Sequence, residues 1–528
     1  MIKKRRGEYK QMAFETAIRN PERYKGIMEK MLPFEGEVLN DEMLLEIVCS
    51  LYIEGEVSSD RILVKDNTSI DCIKELVKDV NITRNSDGGF PKGYQSRFWT
   101  YMRTLSELGF VYARYNKEFK ISALAKMLLN NEIDEQEAFS IQAVKYNRKS
   151  PYRRVLNNFN YFEFILKVLL KLNDESKALS YEQFVVSLFS TDGDAEKFIA
   201  LINGISLPDN DAVYVFVSNH YPKTANKKGE ISPHNHQTIL RDYPDVVLRL
   251  LRITGFINIV YNGKTLIKIN SDKLVYIQQL LQIKYYMSEE EKSDEMKFYN
   301  KMNYNLDAYL KVALSFRSLD KIDGCSYANK LDEVVRMYSI DEEKISKYIL
   351  HLNDKQLAPE FKYISDPLKL EFYISILIFI KYGKKYAIRP NYKIDSLGMP
   401  ISHAPGNIGD IEVYNSTIYW LVEVTLIRNK TQQMNNETTS VVRHLCNSDE
   451  FMKHKENYLS LVAPIIHEDT KRFLDFSIID SRKEELDVYI KPYNLSEFIE
   501  ITKERKNCED MKMYCELKVE EFKSKLFS

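Results

Sequence analysis

The sequence predicts a multidomain α+β chain, mostly helical over its first two thirds and α/β in its last third. Three observations carry this. Its 528 residues are 44% hydrophobic and 29% charged, ordinary for a globular chain long enough for two to four domains. A pattern of helix, Gly-Phe and strand occurs twice in the N-terminal half, as LSELGFVYARY and LRITGFINIVY. From Asp366 onward, helical and strand periods alternate in the order α-β-β-β-α-β.

Composition removes several function classes. Lys+Arg number 75 and Asp+Glu 76, a net charge of -1. No global basic surface advertises nucleic acid, although local basic faces steer binding regardless of the total. The six cysteines (Cys49, Cys72, Cys325, Cys446, Cys508, Cys515) are scattered without a CxxC pair. This speaks against zinc and against a disulfide framework, and fits a reducing cytoplasm. The start, MIKKRRGEYKQM, is basic but lacks the apolar stretch of a signal peptide. The longest apolar run, Phe372 to Ile380, is too short to span a bilayer and reads as a buried helix. No membrane partner is expected.

In residues 1–150 the helical period runs from Gln95 to Leu108, and Gly109 stops it. Phe110 to Tyr115 and Phe119 to Ile121 then read as a hairpin turning at Asn116-Lys117, followed by a helix from Ser122 to Asn130. This is the outline of a winged helix, a DNA-binding variant of the helix-turn-helix. Its helix is expected to be exposed and to present Gln95, Ser96, Arg97 and Arg103, residue types that read base edges and phosphates. An ordinary small α+β unit with Trp99 and Met102 as core is the even alternative.

Residues 151–285 repeat the outline. Residues 160–205 are apolar-rich and helical, packing support. Pro244 to Arg252 is helical, Gly255 stops it, and Phe256 to Tyr261 and Leu266 to Ile269 flank Asn262-Gly263, a strong hairpin signal. Between the two modules, Tyr221 to Arg241 is polar and basic, and Lys223, Lys227 and Lys228 are candidate phosphate contacts. His234 and His236 lack a further ligand nearby, so that stretch reads as a solvated loop. Residues 286–365 are charged and helical, a linker domain with Ser288 to Ser293 as an exposed hinge. Residues 366–528 form the α/β domain.

Within that domain the stretch Ile401 to Leu445 stands out. Ile411 to Val413 and Ile418 to Leu426 read as a strand hairpin turning at Asn415-Ser416. Asp410 enters the first strand, and Glu423 interrupts the apolar run of the second. A helical period follows, with Gln433, Glu437 and His444 close to one face. An Asp at the mouth of one strand and a Glu in its partner converge on one hard divalent cation such as Mg²⁺. Such an ion polarises a phosphoryl oxygen and activates water. The arrangement is a variant of the PD-(D/E)XK nuclease core, with Thr425 where a Lys is usual. An isolated D…ExT is more often a plain edge-strand charge; the full set of residues is what counts.

That set is His403-Ala404-Pro405-Gly406-Asn407, Asp410-Ile411-Glu412, Glu423-Val424-Thr425, Gln433, Glu437 and Arg443-His444. In order and gaps it resembles the AlwI family of type IIS restriction endonucleases and their nicking relatives. The resemblance implies a catalytic site of Asp410, Glu423, Glu437 and His444, with Glu371 on the preceding helix as a further member. Asp410, Glu423 and Glu437 would hold one or two Mg²⁺, His444 would serve as acid/base or phosphate contact, and Arg443 and Gln433 would support them. It further implies winged-helix recognition domains, a double-stranded DNA substrate, and cleavage a few base pairs to one side of an asymmetric site. Partners would be a transient homodimer through the catalytic domain or a separate small nuclease subunit. Two other readings stay open: a repair or transposition nuclease on the same core, and a winged-helix DNA-binding protein whose nuclease core is inert. The chain has no helicase-type GxxxxGK[ST] loop.

Overall fold

The computed structural model describes residues 14–57, 59, 62, 64, 68–79, 89–153, 157–221, 236–317, 324–354, 356–480 and 487–527. These fall into two compact units, one ending at residue 317 and the other running from residue 324. The division falls inside the stretch 286–365, expected from the sequence to be a linker domain. Helices Glu295–Met302 and Leu306–Ser315 belong to the first unit, Gly324–Met337 and Glu342–Leu350 to the second. Each has an apolar face to bury. Phe298 and Met302 cluster with Met287, while Ile345, Tyr348 and Ile349 join the core of the second unit. The expected hinge is tied down too. Ser288 N donates to Glu291 Oε2 at 2.6 Å, and Glu289 accepts from Asn158 at 2.8 Å and pairs with Lys149.

The first unit contains both helix–Gly–strand modules. Helix α1 (Tyr94–Glu107) ends before Gly109, and strands β1 (Val111–Tyr112) and β2 (Lys120–Ile121) pair antiparallel, with Asn116 at φ 56° in the turn. In the second module β3 (Leu179–Ser180) adds to a hairpin, giving a three-stranded sheet. Helix α2 (Tyr243–Ile253) precedes that hairpin of β4 (Ile257–Tyr261) and β5 (Thr265–Ile269). Gly109 and Gly255 both sit at φ +70°, a conformation that only glycine adopts without strain.

The expectation of an exposed reading helix is overturned. In α1 Gln95 is 8% and Ser96 5% exposed, beside the buried Phe98, Trp99, Met102 and Leu105. Gln95 donates to Asp41 Oδ1 at 2.9 Å. Arg103 is ion-paired with Glu15, and Arg97 is half-buried. The helix is packed on more than one side, and Gln95 and Arg103 are engaged in internal bonds. Helix α2 is similarly enclosed, with Arg252 paired to Glu22 and Arg249 bonded to Asn20 at 2.7 Å. Lys223, Lys227, Lys228 and His234 lie outside the described residues; His236 sits 3.5 Å from Asp211.

The second unit is built on a mixed five-stranded sheet in the order Asp487–Asn494, Glu456–Ala463, Ile418–Val424, Ile411–Tyr414, Ala387–Pro390. Helix α3 (Asp366–Tyr382), the long apolar run, is buried through most of its length. Strand β6 (Ala387–Pro390) follows, then a small hairpin of β7 (Lys393–Ile394) and β8 (Pro400–Ser402). Strands β9 (Ile411–Tyr414) and β10 (Ile418–Val424) form the expected hairpin, and Asn415 Oδ1 accepts from Thr417 N and Ile418 N to close its turn. Helices α4 (Lys430–Asn436) and α5 (Thr438–Asn447) lead to β11 (Glu456–Ala463), parallel to β10. The expected single helix is thus interrupted at Glu437. The helix Glu468–Asp480 precedes the edge strand β12 (Asp487–Asn494), and helices Leu495–Glu504 and Asn507–Phe527 close the unit. No helix among the described residues is long and apolar enough to cross a membrane.

Candidate active site

The hairpin sets the site. In its antiparallel register Ile411 faces Val422, so one step further Asp410 stands opposite Glu423, and residues directly opposite share a face. Gly409 makes room: a Cβ there would lie 2.7 Å from Glu423 Oε1 and 2.4 Å from Leu421 Cδ1. Asp410 Oδ2 accepts from Val424 N at 2.8 Å.

The electrostatics of the cluster favour protonated carboxyls. Burial, then the charges of Glu423 and Glu371, push Asp410 well above the usual carboxylate range, against the Val424 amide. Burial, then Glu437 and Glu371, push Glu423 up likewise. Glu437 is raised by burial, opposed by a hydrogen bond from Thr425 and by His444. His444 Nδ1 lies 3.0 Å from Glu423 Oε1; burial, reinforced by Arg443, lowers its pKa, so the ring is neutral at neutral pH. Glu371, 5% exposed on α3, meets His403 Nδ1 at 2.5 Å through Oε1.

The five predicted residues Asp410, Glu423, Glu437, His444 and Glu371 therefore form one electrostatic cluster. Three neighbours gain defined places. Thr425, where a lysine is usual, accepts from Ile427 N at 3.2 Å and is among the groups that lower the Glu437 pKa. Gln433 is fully buried and ties α4 to Ile465 O (2.8 Å), Ile427 O (3.3 Å) and His467 N (3.0 Å). It is a strut rather than a phosphate contact. Arg443 is exposed on α5. Sequence reasoning passed over Glu412, which accepts from Tyr419 (2.9 Å), Ser448 (3.0 Å), Asn391 (3.3 Å) and Arg389. It also left His403 without a task.

The cluster suits a hard divalent cation. Its donors are carboxylate oxygens, and a bound cation would cancel their mutual repulsion. Among the described residues no three His, Cys, Asp or Glu side chains stand ready to hold a metal as they are. Their oxygens are turned to Val424, His444, Thr425 and His403 instead.

Comparison with known proteins agrees with the motif. The family model described as AlwI restriction endonuclease matches residues 106–315 and 315–501. No curated protein matches. Among solved structures, the small subunit of the heterodimeric restriction endonuclease R.BspD6I aligns at 22% identity and TM-score 0.26, over 33% of this chain and 86% of that one. Restriction endonuclease FokI aligns at 12% identity and TM-score 0.23, over 93% of this chain and 96% of that one. The family match runs from the end of α1 through the second module of the first unit and the whole acidic cluster of the second, and on it the chain belongs to the AlwI restriction endonuclease family.

Proposed function

We propose that this restriction endonuclease is of type IIS, or a nicking relative. It reads a short asymmetric duplex sequence with its first unit and hydrolyses a phosphodiester a few base pairs to one side, with Mg²⁺, in the second. The observation that carries this is the pair Asp410 and Glu423, set opposite each other on the β9–β10 hairpin, with Glu437 and Glu371 acting on it. Asp410, Glu423 and Glu437 would hold the metal. A divalent cation bound there supplies polarisation of the phosphoryl oxygen and a lowered pKa for the attacking water.

The chain's own residues do the rest. His444, neutral and held through Nδ1 by Glu423, offers Nε2 to take the water's proton. Thr425 fixes Glu437 and so fills the place of the usual lysine with a positioning contact. In the first unit the two helix–Gly–strand modules are winged-helix recognition elements, and Arg97, Lys223, Lys227 and Lys228 are its DNA contacts. The domains run 1–150, 151–285, 286–365 and 366–528 in function, with 286–365 joining reader to cutter. Partners are duplex DNA and a second catalytic domain.

Supercoiled plasmid incubated with purified protein and Mg²⁺ tests this. Discrete products that vanish with EDTA are expected. Asp410→Ala and Glu423→Ala should each slow cleavage on the order of 10³-fold while site-specific binding persists. Full cleavage by either variant sinks the assignment. A mobility shift without cleavage by the native protein would favour an inert nuclease core, and random degradation a repair-type nuclease.

A further inference from the structure

Glu371 and His403 form a second carboxylate–imidazole pair, beside that of Glu423 and His444. His403 follows β8 directly, and its Nδ1 lies 2.5 Å from Glu371 Oε1. The other oxygen, Oε2, is buried and has no hydrogen-bond partner. A buried carboxylate oxygen without a donor is costly, so it marks a donor still to come. The contrast with Glu412 is informative. That carboxylate is equally buried in the same unit, and both its oxygens are satisfied, Oε1 by Tyr419 and Ser448, Oε2 by Arg389 and Asn391. A strut is finished in this way; Glu371 is left half-finished, and its charge acts on both Asp410 and Glu423.

We propose that His403 is a positioning residue. It grips Glu371 by Oε1 and so presents Oε2 as the acceptor for a water hydrating a divalent cation at Asp410 and Glu423. Residues that orient an inner carboxylate in this manner set metal affinity as well as rate. The proposal rests on the nuclease reading for the cation's role, though not for the pairing of the two side chains.

The test is Mn²⁺ titration of the metal-free full chain by calorimetry, alongside steady-state plasmid nicking. His403→Ala should weaken Mn²⁺ about 10–100-fold and lower kcat with KM for DNA unchanged. His403→Asn, whose amide can still donate to Oε1, should recover most of both. Glu371→Gln should weaken Mn²⁺ as His403→Ala does, and it carries the test if the alanine variant fails to fold. Native Mn²⁺ affinity in His403→Ala overturns the proposal. So does a raised KM at unchanged kcat, which would make His403 a phosphate contact. A native protein that binds Mn²⁺ with this dependence on His403 and yet cuts no DNA would uphold the positioning role and refute the nuclease reading.

Discussion

Two carboxyls held opposite each other, Glu423 buried and Asp410 half-buried, bind a proton more tightly than the unfolded chain does, and this sets a pH dependence. Asp410 and Glu423 are both raised in the folded state. The fold therefore holds more protons than the unfolded chain above about pH 4, and stability falls as pH rises from there through the raised folded values. Asp410→Asn keeps an acceptor for Val424 N and removes the repulsion. At pH 7.5 without metal it should be more stable than the native protein by about 1–2 kcal/mol, and the gain should shrink toward pH 4. Added Mg²⁺ should stabilise the native protein and not the variant. Calorimetric melting across pH decides it; a destabilised Asp410→Asn at pH 7.5 would show that the pair is not strained. The order Asp410, Glu423, Glu437, His444 was legible because motif spacing survives in the chain. Their partners were not. Glu371 and His403 are 32 residues apart, and Glu423 and His444 are 21 apart, distances that only the sheet closes. Gln95 and Ser96 misled for a related reason: residue type states what a side chain can bond, and packing decides which partner it finds.

At the scale of elements, the strands around the site were readable from their apolar runs and the Asn415 turn. What escaped was β12, where Lys491 and Pro492 break the pattern in DVYIKPYN; a proline is tolerated there because the strand lies at the sheet edge. The β7–β8 hairpin is too short to carry a period. The break between α4 and α5 was invisible as well, since Glu437 N still bonds Gln433 O and Val441 N bonds Glu437 O at 3.1 Å each, so the helical spacing continues through it. Gln433 holds that break in place by three bonds to the loops after β10 and β11. Gln433→Ala would leave Ile427 O, Ile465 O and His467 N without it, a cost of about 2–3 kcal/mol. It should also slow cleavage, because Glu437 ends the same helix. Urea unfolding and nicking rates measured together check this; a variant that is destabilised but cleaves at the native rate would detach Gln433 from the site.

For the whole molecule the decisive count is of cutting centres. Among the described residues one Asp410–Glu423 constellation is present, and one such centre attacks one phosphodiester at a time. The first unit contains two helix–Gly–strand modules and, among its described residues, no comparable acidic pair on a hairpin, which fits the proposed division of reading and cutting along the chain. A duplex read by one chain is therefore expected to be nicked first. Breaking the second strand calls for another catalytic domain, from a second copy or a separate subunit, and its rate depends on how often that domain arrives. Supercoiled plasmid carrying one site, treated over a range of enzyme concentrations, tests this directly. Open circles should precede linear product at every concentration, and the linear yield should climb as enzyme is added while the first nick keeps a constant rate per bound enzyme. Linear product that forms without a nicked intermediate, at a rate independent of enzyme concentration, would require a second centre in the same chain and would overturn the single-centre account.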